Sequence, residues 1–315
     1  MDISSEKKNK YGLYSLDDLQ IEQIHKLIYP QIKMEEKGVK IPTLVKWVGG
    51  KKQLLDQFEP LFPKKIERYF EPFVGGGAVA FYLLKTHPEI KKIYLSDINR
   101  ELIITYNVVK KNIKELISSL KKHELNHKKD PTKYYYKMRD LVLKEDDYIR
   151  IASRFIYLNR TCFNGIYRVN KSGKFNVPIG NYKNPGICQE KDLEEISNLL
   201  KKDDVKLSQF FDVLKKAKKG DFIYFDPPYY PLDGKPSFTT YTKNNFLEEE
   251  HKKLVKVFKE LDKRGCKVML SNSDSGFIRD LYRGYDIQVV HATRMINCDA
   301  TKRGKIKEIV VRNYT

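Results

Sequence analysis

Little in this 315-residue chain suits a structural metal or a disulfide framework. It has four cysteines, Cys162, Cys188, Cys266 and Cys298, and none stands in a Cys-x-x-Cys pair. A zinc site is therefore not expected, and scattered thiols in a chain this size suit a reducing cytosol. No run approaches the roughly 20 apolar residues of a membrane span. The start, Met1-Asp2-Ile3-Ser4-Ser5, lacks the basic-then-apolar order of a secretion signal, so a cytoplasmic protein without membrane contact is expected. Gly-x-Gly-x-x-Gly is missing, as is the Gly-Lys-Ser/Thr of a phosphate-cradling loop, which argues against a dinucleotide or a nucleoside triphosphate. There are no repeats and no low-complexity tract. Acid is in short supply: 41 Asp and Glu face 60 Lys and Arg, a formal net charge of +19. That balance favours a polyanionic partner, nucleic acid before anionic membrane. Lysines such as Lys252, Lys253 and Lys256 also fit a plain solvated helix face. An apolar content of 41% is enough for a globular core.

What is present centres on Asp226-Pro227-Pro228-Tyr229-Tyr230. The preceding Asp221-Phe222-Ile223-Tyr224-Phe225 is apolar and aromatic and follows Lys219-Gly220, so it reads as a buried strand leaving a turn. Neither proline can supply the N–H a central strand needs, so the strand stops at Asp226. An acid, a rigid turn and an aromatic ring at the carboxyl end of a parallel strand face the crevice where α/β folds bind ligands.

A second site is spread over Trp47 to Asp97. Trp47, Gly49-Gly50 and Lys51 stand where an apolar segment runs into a helix, a strand-to-helix junction in which Lys51 suits an anionic group. Arg68-Tyr69-Phe70-Glu71 reads as a strand ending at Pro72, and Gly75-Gly76-Gly77 bends the chain into a helix. Lys92 to Asn99 reads as the next strand and ends in Asp97-Ile98. An acid at that position commonly takes both ribose hydroxyls. Strand, glycine bend, helix, strand and acid together point to an adenosine-type ligand without a pyrophosphate.

Residues 1–40 read as a mostly helical extension capped by Ser15 and ended by Pro30. Residues 101–150 read as basic helices. Between 155 and 181, aromatics, Asn and Arg interleave around Lys171-Ser172-Gly173-Lys174, a pattern for a β-hairpin that stacks on bases and pairs with phosphate. A helix near 190–201, a strand near 205–207, a polar loop over 232–246 with Phe238, Tyr241 and Phe246, a helix over 247–263, a strand over 265–272 and a final strand over 306–313 complete the reading. The alternation predicts an α/β fold, Rossmann-like, with a mostly parallel central sheet.

The two sites suggest one chemistry. An exocyclic amine of a base is a poor nucleophile, because its lone pair is delocalised into the ring. The Asp226 carboxylate and the Pro227 carbonyl can each accept one N–H of that amine, aiming its lone pair at an electrophile and favouring the charge that grows on nitrogen. Tyr229 can stack on the base. Inside a duplex such a base is out of reach and must be flipped out.

Five segments carry a resemblance: Lys46-Trp-Val-Gly-Gly-Lys51, Phe70-Glu-Pro-Phe-Val-Gly-Gly-Gly77, Ser96-Asp-Ile-Asn99, the Leu158-Asn-Arg to Phe175-Asn-Val-Pro178 stretch, and Asp226-Pro-Pro-Tyr229. In this order, over residue 42 to the end, they resemble the Dam-type DNA adenine-N6 methyltransferases, including the DpnM-like members of restriction-modification systems. The resemblance implies an S-adenosylmethionine-dependent methyltransferase fold: a catalytic domain from 41–102 and 190–315, with an inserted recognition domain at 103–189 whose hairpin lies near 164–178. It implies S-adenosylmethionine as methyl donor, S-adenosylhomocysteine as product and no metal. Trp47, Lys51, Glu71, Gly75, Gly77, Asp97, Ile98 and Asp226 then match cofactor-binding positions, and Asp226, Pro227, Pro228 and Tyr229 the catalytic turn. Phe163, Asn164, Ile166, Arg168, Asn170, Asn176 and Pro178 fall where such enzymes contact double-stranded DNA, with Arg168 as guanine reader. The implied target is adenine N6 in GATC, with a cognate restriction endonuclease acting on the same site without direct contact. The absence of a Pro-Cys pair agrees, since cytosine-C5 methylation needs a thiolate nucleophile. Two departures stand out: Asn181, where relatives often carry a basic residue, and the N-terminal extension. Methylation of an RNA or protein amino group, and a non-catalytic DNA-binding relative, are the competing readings.

Overall fold

The computed structural model describes residues 39–170, 172–232, 246–293 and 305–315. The expected N-terminal helix, Phe238 and Tyr241 of the polar loop, and Cys298 lie outside the described residues. Among the described residues, seven strands form one sheet in the order β3-β2-β1-β4-β5-β7-β6. They are β1 (Arg68–Glu71), β2 (Lys92–Asp97), β3 (Asp204–Leu207), β4 (Phe222–Phe225), β5 (Lys267–Ser273), β6 (Asp286–Thr293) and β7 (Lys305–Arg312). The first five run parallel. The last, β7, lies antiparallel between β5 and β6. Strand order reverses between β1 and β4: the chain runs from β1 outward to β2 and β3, then returns to β4 on the other side. Such a switch leaves an open crevice at the carboxyl ends of the strands.

Alternation within β4 shows why this strand lies in the middle. Phe222 and Tyr224 join the core on one face of the sheet. Ile223 and Phe225 join the core on the other. All four are fully buried, which fits a central strand covered on both faces. Each such side chain contributes about 1.5–3 kcal/mol of burial. The first core is closed by α1 (Ala78–Thr86), α2 (Arg100–Lys111), α3 (Ile113–Lys129), α4 (Pro131–Asp140), α5 (Tyr148–Thr161) and α6 (Glu190–Leu199). The second is closed by α7 (Glu248–Lys263) and α8 (Gly276–Leu281). One compact unit runs from Val39 to Thr315, and α3, α4 and α5 of the 103–189 segment share the sheet's core. Among the described residues, no helix is long and apolar enough to cross a membrane.

Two elements depart from expectation. Residues 42–48 form no strand, because side chains satisfy their backbone instead of a neighbouring strand. Asp192 accepts from Thr43 N (3.2 Å) and Arg160 donates to Thr43 O and Leu44 O. Asn159 both accepts from Lys46 N (2.7 Å) and donates to Lys46 O (2.8 Å). The other departure is β6, which the sequence reading leaves unassigned. It pairs with β7 on one side, and near its end the Gln57 carboxamide stands in for a strand, accepting from His291 N and donating to His291 O.

Candidate active site

The turn after β4 is held from two neighbouring strands. Asn272 of β5 accepts from Tyr230 N at 3.0 Å, and Ser273 Oγ donates to Tyr230 O at 2.6 Å. The Tyr230 ring lies against Phe277, centroids 4.4 Å apart, and near His251. Tyr230, for which the sequence offers no role, is thus the anchor that fixes the exit of the turn. From β7, Glu308 accepts a hydrogen bond from the Tyr229 hydroxyl at 2.8 Å. Pro227 is buried and Pro228 exposed.

Lys51 reaches this turn from the 3-10 helix Lys51–Leu54, entered through Gly49 at φ +78°. Its Nζ lies 2.8 Å from Asp226 Oδ1 and 4.7 Å from the centre of the Tyr229 ring. The ammonium is almost wholly buried and the carboxylate largely so. Burial pushes the Asp226 carboxyl up to about 6, against the opposing pull of Lys51. At neutral pH the group is therefore mainly ionised and acts as an acceptor.

The glycine bend lies beside it. Glu71 ends β1 fully enclosed and accepts from the Tyr69 hydroxyl at 2.8 Å. Burial first, with help from the Asp226 charge, drives its carboxyl well above the ordinary range. The bend is stitched to β2: Val74 N donates to Ser96 O (3.0 Å) and Gly75 N to Asp97 Oδ2 (3.2 Å). The other Asp97 oxygen accepts from Asn99 N at 2.9 Å, and Asn99 in turn caps α2 through Leu102 N. Burial raises the Asp97 carboxyl to about 6 although backbone N–H groups of Asn99, Gly75 and Ile98 oppose it. Ile98, next to it, is 43% exposed, an apolar surface at the rim.

Two glycines in the bend have no replacement. Gly75 (φ +47°) lies under Trp47, where an added Cβ would come within 2.7 Å of the indole. Gly77 (φ +74°) opens α1, and a Cβ there would sit 2.4 Å from the Tyr106 hydroxyl. That hydroxyl donates to Gly75 O at 3.0 Å.

The hairpin segment meets the same region. Trp47 stacks on Tyr167, centroids 6.0 Å apart and planes 22° apart. Asn159, which grips the Lys46 backbone, also donates to Gly165 O at 3.0 Å. Between 162 and 179 the backbone pairs only at two isolated antiparallel bridges, Cys162 with Ile179 and Val169 with Phe175, a looser form than a regular hairpin. Asn164 at φ +55° and Gly165 at φ +65° break the pairing. Asn170 Oδ1 accepts from Ser172 N, Ser172 Oγ and Lys174 N, closing the turn. Phe163, Asn164, Arg168, Asn170 and Pro178 are exposed, while Ile166 and Asn176 are half-buried. Asn176 accepts from Arg168 Nε at 2.8 Å and so orients the guanidinium.

Comparison with known proteins places this arrangement in a family. The family model described as D12 class N6 adenine-specific DNA methyltransferase matches residues 47–296. The chain belongs to the D12 class of N6 adenine-specific DNA methyltransferases. It is 45% identical to a type II methyltransferase of Methanocaldococcus jannaschii over 88% of this chain and all of that protein. It is 40% identical to a type II methyltransferase of Lactococcus lactis subsp. cremoris, covering 89% of this chain and 98% of that one. It is 34% identical to the DNA adenine methylase of Escherichia coli over 85% of this chain and 94% of the other.

For a D12-class methyltransferase the donor is S-adenosylmethionine, and the residues present fit it. The bend at Gly75 and Gly77 leaves no room for a Cβ, and Asp97, whose Oδ2 accepts from Gly75 N, and Asp226 place carboxyl groups at the end of β2 and just after β4. Among the described residues, no group of three or more His, Cys, Asp or Glu side chains has a metal-holding arrangement. The tertiary partners Asn272, Ser273 and Glu308 carry no sequence signal of their own. Each lies far along the chain from the backbone or ring it holds.

Proposed function

We propose that this D12-class methyltransferase transfers a methyl group from S-adenosylmethionine to N6 of adenine in double-stranded DNA at GATC, releasing S-adenosylhomocysteine. The observation that carries the reading is the buried Lys51–Asp226 contact, set under Tyr229 and beside the Gly75–Asp97 cradle. In this reading Asp97 accepts from the ribose hydroxyls, and Ile98 and Trp47 flank the adenosine. Lys51 engages the anionic end of the donor, while Glu71, Gly75, Gly77 and Asp226 complete the pocket. The donor supplies an electrophilic methyl on a sulfonium. Asp226 and the Pro227 carbonyl accept the two N–H groups of the target amine, Pro228 keeps the turn rigid and Tyr229 stacks on the flipped base. Asp226 orients the amine and favours its growing positive charge, and need not remove a proton before attack. Phe163, Asn164, Ile166, Arg168, Asn170, Asn176 and Pro178 face the DNA, and the net charge of +19 supports a polyanionic partner.

The type II names of two relatives support a role as the modification partner of a restriction endonuclease that reads the same site in the cytoplasm without touching this chain. The test is expression in a host lacking adenine methylation, followed by single-molecule sequencing. Modified adenine is expected in GATC and nowhere else. A different motif would refute the target, and unmodified DNA the whole reading.

Arg168 gives a sharper prediction. Asn176 accepts from Arg168 Nε at 2.8 Å and from Nη2 at 3.5 Å, a support that favours Arg168 as the guanine reader. Arg168→Ala is expected to reduce discrimination against substitution of one guanine by roughly 10- to 100-fold, as for the loss of a bidentate pair. Donor affinity should be unchanged. Competition assays on oligonucleotides carrying each single-base variant of the site measure this.

A further inference from the structure

Tyr229 makes two contacts that no motif in its neighbourhood explains. Its hydroxyl donates to Glu308 Oε2 at 2.8 Å, and its ring lies 4.7 Å from the Lys51 ammonium. Glu308 comes from β7, the antiparallel strand inserted beside β5, where it stands opposite Ser273 and Val290. It is 79 residues along the chain from Tyr229. Its register neighbour Ser273 is the residue that holds Tyr230 O. Both tyrosines after the prolines are therefore fixed by the same corner of the sheet, Tyr230 through its backbone and Tyr229 through its hydroxyl.

We infer that Glu308 is a positioning residue for methyl transfer: it tethers the Tyr229 hydroxyl and sets the plane of the ring against which the target base comes to rest. The inference rests on the reading of Tyr229 as the base-stacking residue. A tyrosine has two side-chain torsions, and a stacking surface works only if both are fixed. The rigid turn fixes the backbone, but leaves the ring free to pivot about Cα–Cβ. A carboxylate on the hydroxyl removes that freedom at the far end of the lever, and a hydrogen bond to a charged acceptor is among the stronger ones available. Lys51 closes the arrangement from the other side. Its ammonium lies over the ring and against Asp226, so the ring is held at its face by Lys51 and at its hydroxyl by Glu308.

The experiment compares Glu308→Ala, Glu308→Gln, Tyr229→Phe, Tyr229→Ala and the double variant Glu308→Ala with Tyr229→Phe. Steady-state methylation is read on a one-site adenine duplex, and base extrusion by fluorescence on a parallel probe with 2-aminopurine at the target position. Glu308→Ala and Tyr229→Phe should each lower kcat by about tenfold, with KM for the donor little changed. The double variant should be no worse than either single one, because both remove the same bond. Glu308→Gln should recover most of the rate, since its carbonyl oxygen still accepts from the hydroxyl. Tyr229→Phe guards against misfolding of β7, as it leaves the strand untouched. Full activity in Tyr229→Phe, or additive losses in the double variant, would overturn the tether. Full activity and normal 2-aminopurine fluorescence in Tyr229→Ala would instead overturn the stacking reading.

Discussion

Replacing Asp226 by Ala is expected to lower kcat by about 10²–10³-fold, the usual cost of deleting a preorganised group that meets transition-state charge. Asp226→Asn should fall between, because its carbonyl still accepts one N–H but the negative charge is gone. The loss has a structural second part. Lys51 is almost wholly buried and its Nζ sits 2.8 Å from Asp226 Oδ1, so either variant leaves an ammonium without its carboxylate in a water-poor site. Single-turnover transfer from labelled donor to a one-site duplex measures the effect. Retention of most of the rate by Asp226→Ala would remove Asp226 from the chemistry.

The same residue predicts a pH dependence. Burial raises both Asp226 and Asp97 to about 6. Each is a competent acceptor only when ionised, so kcat/KM should fall as pH drops through about 6, with two groups contributing to the acid limb. The sign for stability is opposite. Between about 6 and the ordinary value of 3.8, the folded chain holds protons on these groups that the unfolded chain does not. Lowering the pH through this window therefore strengthens their contribution to folding. Activity should fall progressively as the pH drops below about 6 while circular dichroism stays unchanged, and it should return on neutralisation. Coincident loss of structure and activity would contradict this origin.

The second large effect is expected at Gly77. At φ +74°, a side chain in place of hydrogen pays about 1–2 kcal/mol in backbone strain. A Cβ would also come within 2.4 Å of the Tyr106 hydroxyl and 2.9 Å of the Phe81 ring, both in fully buried residues. Overpacking of this kind costs about 1–3 kcal/mol more. Gly77→Ala should thus destabilise the protein by roughly 2–5 kcal/mol on those figures. It should also weaken donor binding, because displaced Tyr106 can no longer hold Gly75 O. Gly220→Ala is the control: it has φ +86° but nothing within 4 Å of an added Cβ, so only the backbone part applies. Thermal unfolding and calorimetric titration with S-adenosylhomocysteine give the two readouts. Wild-type stability and affinity in Gly77→Ala would mean that the bend is not the cradle.

Local order made much of this protein legible in its sequence. Phe222 to Phe225 alternate between two cores, and the prolines after Asp226 can only end a strand. Three glycines after Glu71-Pro72 signal a bend that side chains cannot follow, and Asp97 closes a strand within hydrogen-bond reach of that bend. Each of these follows from steric or hydrogen-bonding limits acting over a few residues. Where the limits are not local the sequence was a poorer guide. Residues 42–48 look like a strand by composition, but Asn159, Arg160 and Asp192 hold their backbone from more than a hundred positions away. The hairpin at 162–179 is reduced to two bridges by the left-handed Asn164 and Gly165.

Asp226-Pro227-Pro228-Tyr229, the glycine bend and the basic surplus were determined by the sequence itself, and with them the kind of reaction and the class of partner. Tertiary structure decided how these parts are held. Lys51 is brought onto Asp226, Asn272 and Ser273 onto Tyr230, and Glu308 onto Tyr229. The Glu308 contact arises only when β7 turns antiparallel and enters beside β5, and the Asn272 and Ser273 contacts only when β5 pairs with β4, because residues so far apart share no local pattern and meet only through the order of strands in the sheet.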